Sequence, residues 1–298
     1  VYGGVSKDQQ SLQLQSGVEI IVACPGRLLD HLWQGTVDLS HLEVLVIDEA
    51  DRMFDMGFLP DIRNILRCIL KPRQTLLFSA TMPDDIRRLV QEVLHDPVTV
   101  KIGRTAPAAS VSHALYPVQQ HLKTALLMKL LRNTETESVL VFTRTKHRAE
   151  RVAQQLQRAG LNVASLQGDL SQNRRQEALD GFRDGSYKIL VATDIAARGI
   201  DVLRISHVIN YDMPDSIDAY IHRIGRTGLF DDTGDAFTFV TGEDAAMVRD
   251  IERVLNATLE RRVVEGFNYT APALERGPVR TMRPAQRYPV RRQRVANN

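Results

Sequence analysis

The feature that most constrains this chain is a repeated alternation. Short, β-branched apolar runs give way to stretches whose apolar residues recur every three or four positions. The runs at 19–24, 43–47, 75–78 and 98–102 predict strands, and 25–34, 60–70 and 84–94 predict helices with one buried face. The strands are almost wholly apolar, as in a parallel sheet covered on both sides. The segment 104–112 (RTAPAASVS) breaks the pattern with small residues and Pro107, and reads as a linker. Beyond it the alternation resumes, with strands at 139–142, 163–166, 189–192, 207–210 and 236–240. Helices are predicted at 145–159, 171–183, 216–223 and 243–255. The expected architecture is therefore two α/β units, 1–103 and 113–262. The second is complete by strand count; the first has few strands before its first motif.

A length of 298 residues suits two domains, and 43% hydrophobic with 25% charged residues is a globular composition. No apolar run approaches the ~20 residues of a membrane span, and no signal peptide is visible. Cys24 and Cys68 are too few for a disulfide framework or a Cys-rich metal site, and are expected as buried or half-buried thiols. These features predict a soluble, cytoplasmic protein. The net charge of +2 conceals an asymmetry: residues 271–298 hold seven Arg against Glu275, a sum of +6, so the other 270 residues sum to −4. The segment 263–298 is expected to be a disordered basic tail, an electrostatic arm for polyanions.

Ligands of parallel α/β sheets sit beyond the carboxyl ends of the strands, so the residues just past each apolar run carry the chemistry. After Ile47 come Asp48, Glu49, Ala50 and Asp51. Adjacent carboxylates there suit Mg²⁺, which takes one or two carboxylates plus water and phosphate oxygens. Asp48 would hold the metal–nucleotide and Glu49 would orient or deprotonate the attacking water; the plainer alternative is an acidic turn capping the next helix. After Phe78 come Ser79, Ala80 and Thr81, which alone do no more than cap a helix. After Ala192 comes TDIAARGID (193–201), polar groups around a glycine that suit phosphate or sugar. In HRIGRTG (222–228) two Arg three residues apart can grip phosphate oxygens bidentately. A surface ion-pair role for that pair, and a structural role for His222, are the alternatives.

Together with Gly3-Gly4, Pro25-Gly26-Arg27 and VFTRTK (141–146), these strings occur in an order that resembles the DEAD-box RNA helicases, from residue 1 to about Tyr269. The segments MGFLPDIRNIL, RQTLLFSATMP and FNYTAP resemble the bacterial RhlE-type subgroup. The resemblance implies two RecA-like domains with parallel sheets, joined by a flexible linker and closing over ATP, Mg²⁺ and one RNA strand. It implies that Ser79 and Thr81 couple the nucleotide and RNA sites through Asp51, with Asp194 and His222 in the same coupling set. Gly199 and Asp201 would contact the nucleotide, Asp201 at its ribose, and Arg223 and Arg226 would cross the cleft as arginine fingers. Gly4, Gly26, Arg27, Gly168 and Thr193 would line the RNA path, supported by Gln172 and Arg175. Such contacts go mainly to sugar and phosphate and carry no sequence information.

This chain departs from the family pattern in three places. Leu229 stands where the last motif usually ends in Arg, and Cys24 stands where Thr usually precedes the Pro-Gly-Arg string. The third departure is larger. The seven lysines (7, 71, 101, 123, 129, 146, 188) come after Ser, Leu, Val, Leu, Met, Thr and Tyr, so no Gly-Lys-Thr phosphate loop exists in these 298 residues. The economical expectation is that the sequence begins inside the first domain of an ATP-dependent RNA helicase, and that this chain alone is inactive. The alternative is a catalytically silent RNA-binding or annealing protein that uses the second domain and the tail.

Overall fold

A computed structural model of the chain describes residues 1–101, 111–134, 137–197, 205–228 and 234–273. The first domain contains α1 (Lys7–Gln15), α2 (Pro25–Trp33), β1 (Val44–Ile47), α3 (Ala50–Asp55), α4 (Leu59–Arg67), β2 (Gln74–Leu77) and α5 (Asp84–Val93). The second contains β3 (Val111–Pro117), α6 (Lys123–Asn133), β4 (Val139–Phe142), α7 (Lys146–Arg158), β5 (Val163–Leu166), α8 (Gln172–Arg183) and β6 (Ile189–Ala192). It continues with α9 (Asp194–Ala197), β7 (His207–Asn210), α10 (Ile217–Ile224), β8 (Gly234–Val240), α11 (Ala245–Leu255) and β9 (Glu260–Arg261).

The second domain is a parallel sheet in the order β5-β6-β4-β7-β8-β3-β9. Its central strands are buried on both faces because successive side chains point to opposite sides. Val139 and Val141 join one core layer with Leu126, Val152 and Leu156. Leu140 and Phe142 join the other with Leu166, Phe182 and Leu190. Helices start where a hydroxyl comes after the sheet's carboxyl end. The side chain of Thr145 accepts the Arg148 N–H at 3.2 Å and that of Ser216 accepts the Ala219 N–H at 3.1 Å, satisfying donors that the first helical turn leaves free.

The first domain differs from expectation. Among the described residues its sheet has two parallel strands, β1 and β2. The predicted strands at 19–24 and 98–102 do not form. Val98 and Val100 are 89% and 80% exposed, and Ile20 and Val22 are each 82% exposed. A run of β-formers becomes a strand only when its backbone groups find a partner. Here segment 19–24 meets only Val1, whose amino group donates to the Val22 carbonyl and whose carbonyl accepts the Cys24 N–H. A small core nonetheless forms: Ile47, Ile62, Ile86 and Leu89 pack together, and Leu29, Leu39, Ile65 and Ile69 make a second cluster.

Three smaller corrections concern the linker, the tail and the thiols. Val111 and Ser112, at the end of the expected linker, already pair in β3 with Gly234 and Asp235. The tail begins later than residue 263, because Val264, Phe267, Tyr269 and Ala271 pack against the second domain's core. Both cysteines are exposed, not buried. Among the described residues, no helix is long and apolar enough to cross a membrane.

Candidate functional site

The site assembles where both sheets end. Beyond β1, the N–H of Ala50 donates to the Phe78 carbonyl, continuing the ladder and bringing residues 48–51 beside 79–81. Glu49 sits in the left-handed region (φ 49°, ψ 47°) as the residue before α3, a conformation that costs a non-glycine residue about 1 kcal/mol or more. That turn leaves the Asp48 and Glu49 side chains exposed and turns Asp51 inward, 6% exposed. The Asp51 carboxylate accepts the Thr81 N–H at 2.8 Å, the Thr81 hydroxyl at 2.9 Å and the Arg52 N–H at 3.0 Å. The Asp51 N–H donates to Ser79 Oγ at 3.2 Å, and that hydroxyl donates to the Thr81 carbonyl at 2.7 Å. Burial alone raises the Asp51 pKa, but donors from Thr81, Arg52 and Ser79 outweigh it and hold the carboxyl below the usual carboxylate range. The expected trio Asp51, Ser79 and Thr81 is therefore one hydrogen-bonded unit.

Across the cleft stand His222 and Arg226 of the second domain. A cavity of about 310 Å³ lies between the domains, lined by Asp51, Arg52 and Thr81 on one side and by Asp194, His222 and Arg226 on the other. Burial, then the nearby Arg52, lowers the His222 pKa, with Asp51 and Asp218 opposing. Burial and Arg52 also lower that of Arg226, with Glu49 opposing. Arg226 thus faces the Glu49–Arg52 pair, as a residue reaching across the cleft must.

Arg223 does not. Its side chain is 3% exposed and its donors are engaged within the second domain. Nε and Nη2 grip the two Asp194 oxygens at 2.6 and 2.7 Å, while Nη1 donates to Asn210 Oδ1 at 3.1 Å and to the Asp212 carbonyl at 2.8 Å. The Phe142 ring lies 5.0 Å from the guanidinium carbon. The expectation of two fingers is corrected here: α10 turns Arg223 inward with Tyr220 and Ile224, whereas Arg226 lies in the turn after the helix. That turn rests on β8 at Gly234, where any Cβ would overlap the Thr227 side chain and the Gly228 nitrogen.

The residues expected along the RNA path collect on the same side. Gly4, in the left-handed region at φ 81°, lies opposite Gln172: a Cβ on it would sit 3.8 Å from that side chain, across the domain boundary. Gly26 and Arg27 occupy the first turn of α2, with Arg27 Nη1 donating to the Val5 carbonyl at 3.3 Å. Gly168 lies just past β5 and has open space around it. Thr193 lies just past β6, its N–H donating to the Leu166 carbonyl at 3.4 Å, and Arg175 Nη2 donates to the Ala196 carbonyl at 3.4 Å. Gly199 and Asp201 lie outside the described residues.

Two participants escape the sequence patterns. Arg52 donates to Glu49 Oε1 at 2.6 Å; its signal is a cation three residues after a carboxylate on a helix. Asp212, 3% exposed, accepts the Arg144 N–H at 2.9 Å and Arg148 Nη1 at 2.6 Å, and lies 3.7 Å from the buried Lys123 ammonium. A lysine amid the apolar residues of α6 is its signal.

The donor set fits Mg²⁺ in part. Asp48 offers a hard, exposed carboxylate at a strand end. Among the described residues no group of three or more His, Cys, Asp or Glu is placed to enclose a metal, so further ligands would be water and phosphate. The cradle for the β- and γ-phosphates is not in this sequence.

The buried histidines carry a pH dependence. Burial lowers the pKa of His113, His207 and His222 below 6.5, against Asp235 at His207 and reinforced by Arg52 at His222. A depressed folded pKa means that the unfolded chain binds more protons, so stability is full above pH 6.5 and falls as pH drops below it. Thermal melts from pH 7.5 to 5 should show a falling midpoint, and a flat profile would contradict the neutral, buried assignment.

Comparison with known proteins gives this arrangement a family. The DEAD/DEAH box helicase family model matches residues 1–89, and that of the helicase conserved C-terminal domain matches residues 122–230. The ATP-dependent RNA helicase DeaD of Mycobacterium tuberculosis is 43% identical over 261 residues, 87% of this chain and 46% of that protein. S. cerevisiae Dbp5 bound to RNA and ADP BeF3 superposes with a TM-score of 0.76 at 30% identity, over 82% of this chain and 66% of that one. A DEAD box protein from Methanococcus jannaschii is 35% identical, over 88% of this chain and 71% of that one, with a TM-score of 0.50. This chain belongs to the DEAD-box helicase family and has its two RecA-like domains. It spans about half the length of the DeaD relative.

Proposed function

We propose that the chain is the RNA-clamping part of an ATP-dependent RNA helicase, which grips one strand across both domains and locally separates short duplexes. The observation that carries this reading is the cleft, in which Glu49 and Arg52 face His222 and Arg226 while Gly4 faces Gln172. One closure thus brings nucleotide-side and RNA-side residues together. Bound Mg²⁺ would neutralise phosphate charge. Glu49 would hold the attacking water, Arg226 would meet charge developing on the transferred phosphoryl group, and Asp51 with Ser79 and Thr81 would relay closure to the RNA path. Arg223 positions the Asp194 turn and touches neither ligand. The Gly26–Arg27 turn, Gly168, Thr193, Gln172 and Arg175 would bind sugar and phosphate.

The nucleotide site is completed by a strand–phosphate loop–helix unit outside these 298 residues. Supporting this are the exposed Ile20, Val22, Val44 and Val46, and the backbone bonds by which Val1 flanks segment 22–24. A cavity of about 350 Å³ beside α1 adds to this, since the buried Gln10 Oε1 on its wall has no hydrogen-bond partner. The motifs MGFLPDIRNIL and FNYTAP favour an RhlE-type parent. The coding sequence upstream of Val1 should therefore encode GxxxxGKT between a strand and a helix. Made as it stands, the chain should release no phosphate from ATP in the presence of RNA. Release that Glu49→Gln removes would overturn this. The absent phosphate loop also suits a silent RNA-binding protein, but such a protein has no need of Glu49 and Arg226 opposed across a cleft.

A further inference from the structure

The basic tail has a built root. Residues 264–271 form a strap across α6. The Val264 N–H donates to the Tyr269 hydroxyl at 2.8 Å, the Phe267 and Tyr269 rings meet edge to face at 4.8 Å, and both pack on the core. The strap ends with the Ala271 carbonyl 2.8 Å from His121 Nε2, a few residues past the carboxyl end of β3. The strap therefore delivers residue 274 to the pole of the sheet that carries Thr193 and Gly168. In the strand order, β3 lies three ladder steps from β4 and four from β6, about 14 and 19 Å at ~4.8 Å per step. Residues 274–298 number 25, with seven Arg and one acid. A coil of that length has a root-mean-square span of about 27 Å, enough to cross either distance.

We propose that the strap roots residues 274–298 as an RNA-binding arm, which holds the single strand continuing out of the cleft. The reading rests on the RNA clamp proposed above. Arm and clamp then bind one strand, and a root within about 20 Å raises the arm's effective concentration toward the millimolar range. Its arginines engage phosphates without reading bases.

The test measures affinity for a fluorescent 20-nucleotide single-stranded RNA between 50 and 200 mM salt, using the full chain. Deleting 274–298, which spares the strap, should weaken binding at least tenfold at 50 mM and shallow the log–log salt slope by up to about 5, near 0.7 for each arginine. A 40-residue Gly-Ser spacer between Ala273 and Leu274 should weaken it about threefold, and the free 274–298 peptide at 10 µM should not rescue the deletion. An unchanged affinity and slope on deletion would overturn the arm, and a spacer without effect would overturn its rooting. Arg175→Gln separates the two readings. If it weakens binding while the deletion does not, the clamp stands without the arm; if only the deletion weakens binding, the arm stands and the clamp fails.

Discussion

Arg223→Ala is expected to destabilise the second domain by about 2–4 kcal/mol, a loss of roughly 5–15 °C in melting temperature. Removing one partner of a buried pair usually costs about 3–5 kcal/mol. The figure is discounted because Asp194 keeps 37% of its side chain in solvent and can rehydrate. The groups that cannot rehydrate are Asn210 Oδ1 and the Asp212 carbonyl, which would lose their donor in a site where both residues are buried. Arg223→Lys keeps the charge but loses the fork, and should recover only part of the loss. An unchanged melt in Arg223→Ala would restore the guanidinium to the role of a free finger.

Arg226→Ala should act in the opposite way. Arg226 faces the cleft from a turn after α10, so its loss should leave the melt nearly unchanged. In the protein that carries the phosphate loop, RNA-stimulated ATP hydrolysis should fall about 10³–10⁵-fold, the range for an arginine finger supplied within the same chain or by a partner. RNA binding without nucleotide should persist, because the arginine is aimed at charge that develops in the transition state. Hydrolysis reduced less than tenfold would mean that Arg226 only lines the cleft.

The contrast between these two arginines marks the reach of sequence patterns. Their spacing makes them equivalent on paper. They are separated by where α10 stops: Arg223 falls on the inward face beside Tyr220 and Ile224, and Arg226 falls past the helix end. The strands of the second domain are legible because runs such as 139–142 and 189–192 are buried on both faces, so composition alone reports their setting. Segments 19–24 and 98–102 carry the same signal and stay unpaired, because pairing depends on a neighbour that no local pattern encodes. Helix α1 is hidden for the converse reason, since KDQQSLQLQ has almost no apolar face. The Asp51–Ser79–Thr81 unit is legible as a coupled set only through the family resemblance, since hydroxyls after a strand are otherwise indistinguishable from helix caps.

The most direct test is zero-length photocrosslinking of a 4-thiouridine-substituted single-stranded RNA to the 298-residue chain, with crosslinked peptides mapped by mass spectrometry. A strand gripped across both domains should give crosslinks near Gly26–Arg27 in the first domain and near Gly168, Gln172 and Thr193 in the second, on the same RNA molecule. Crosslinks confined to the second domain and residues 274–298 would contradict the clamp and leave the silent RNA-binding protein in its place.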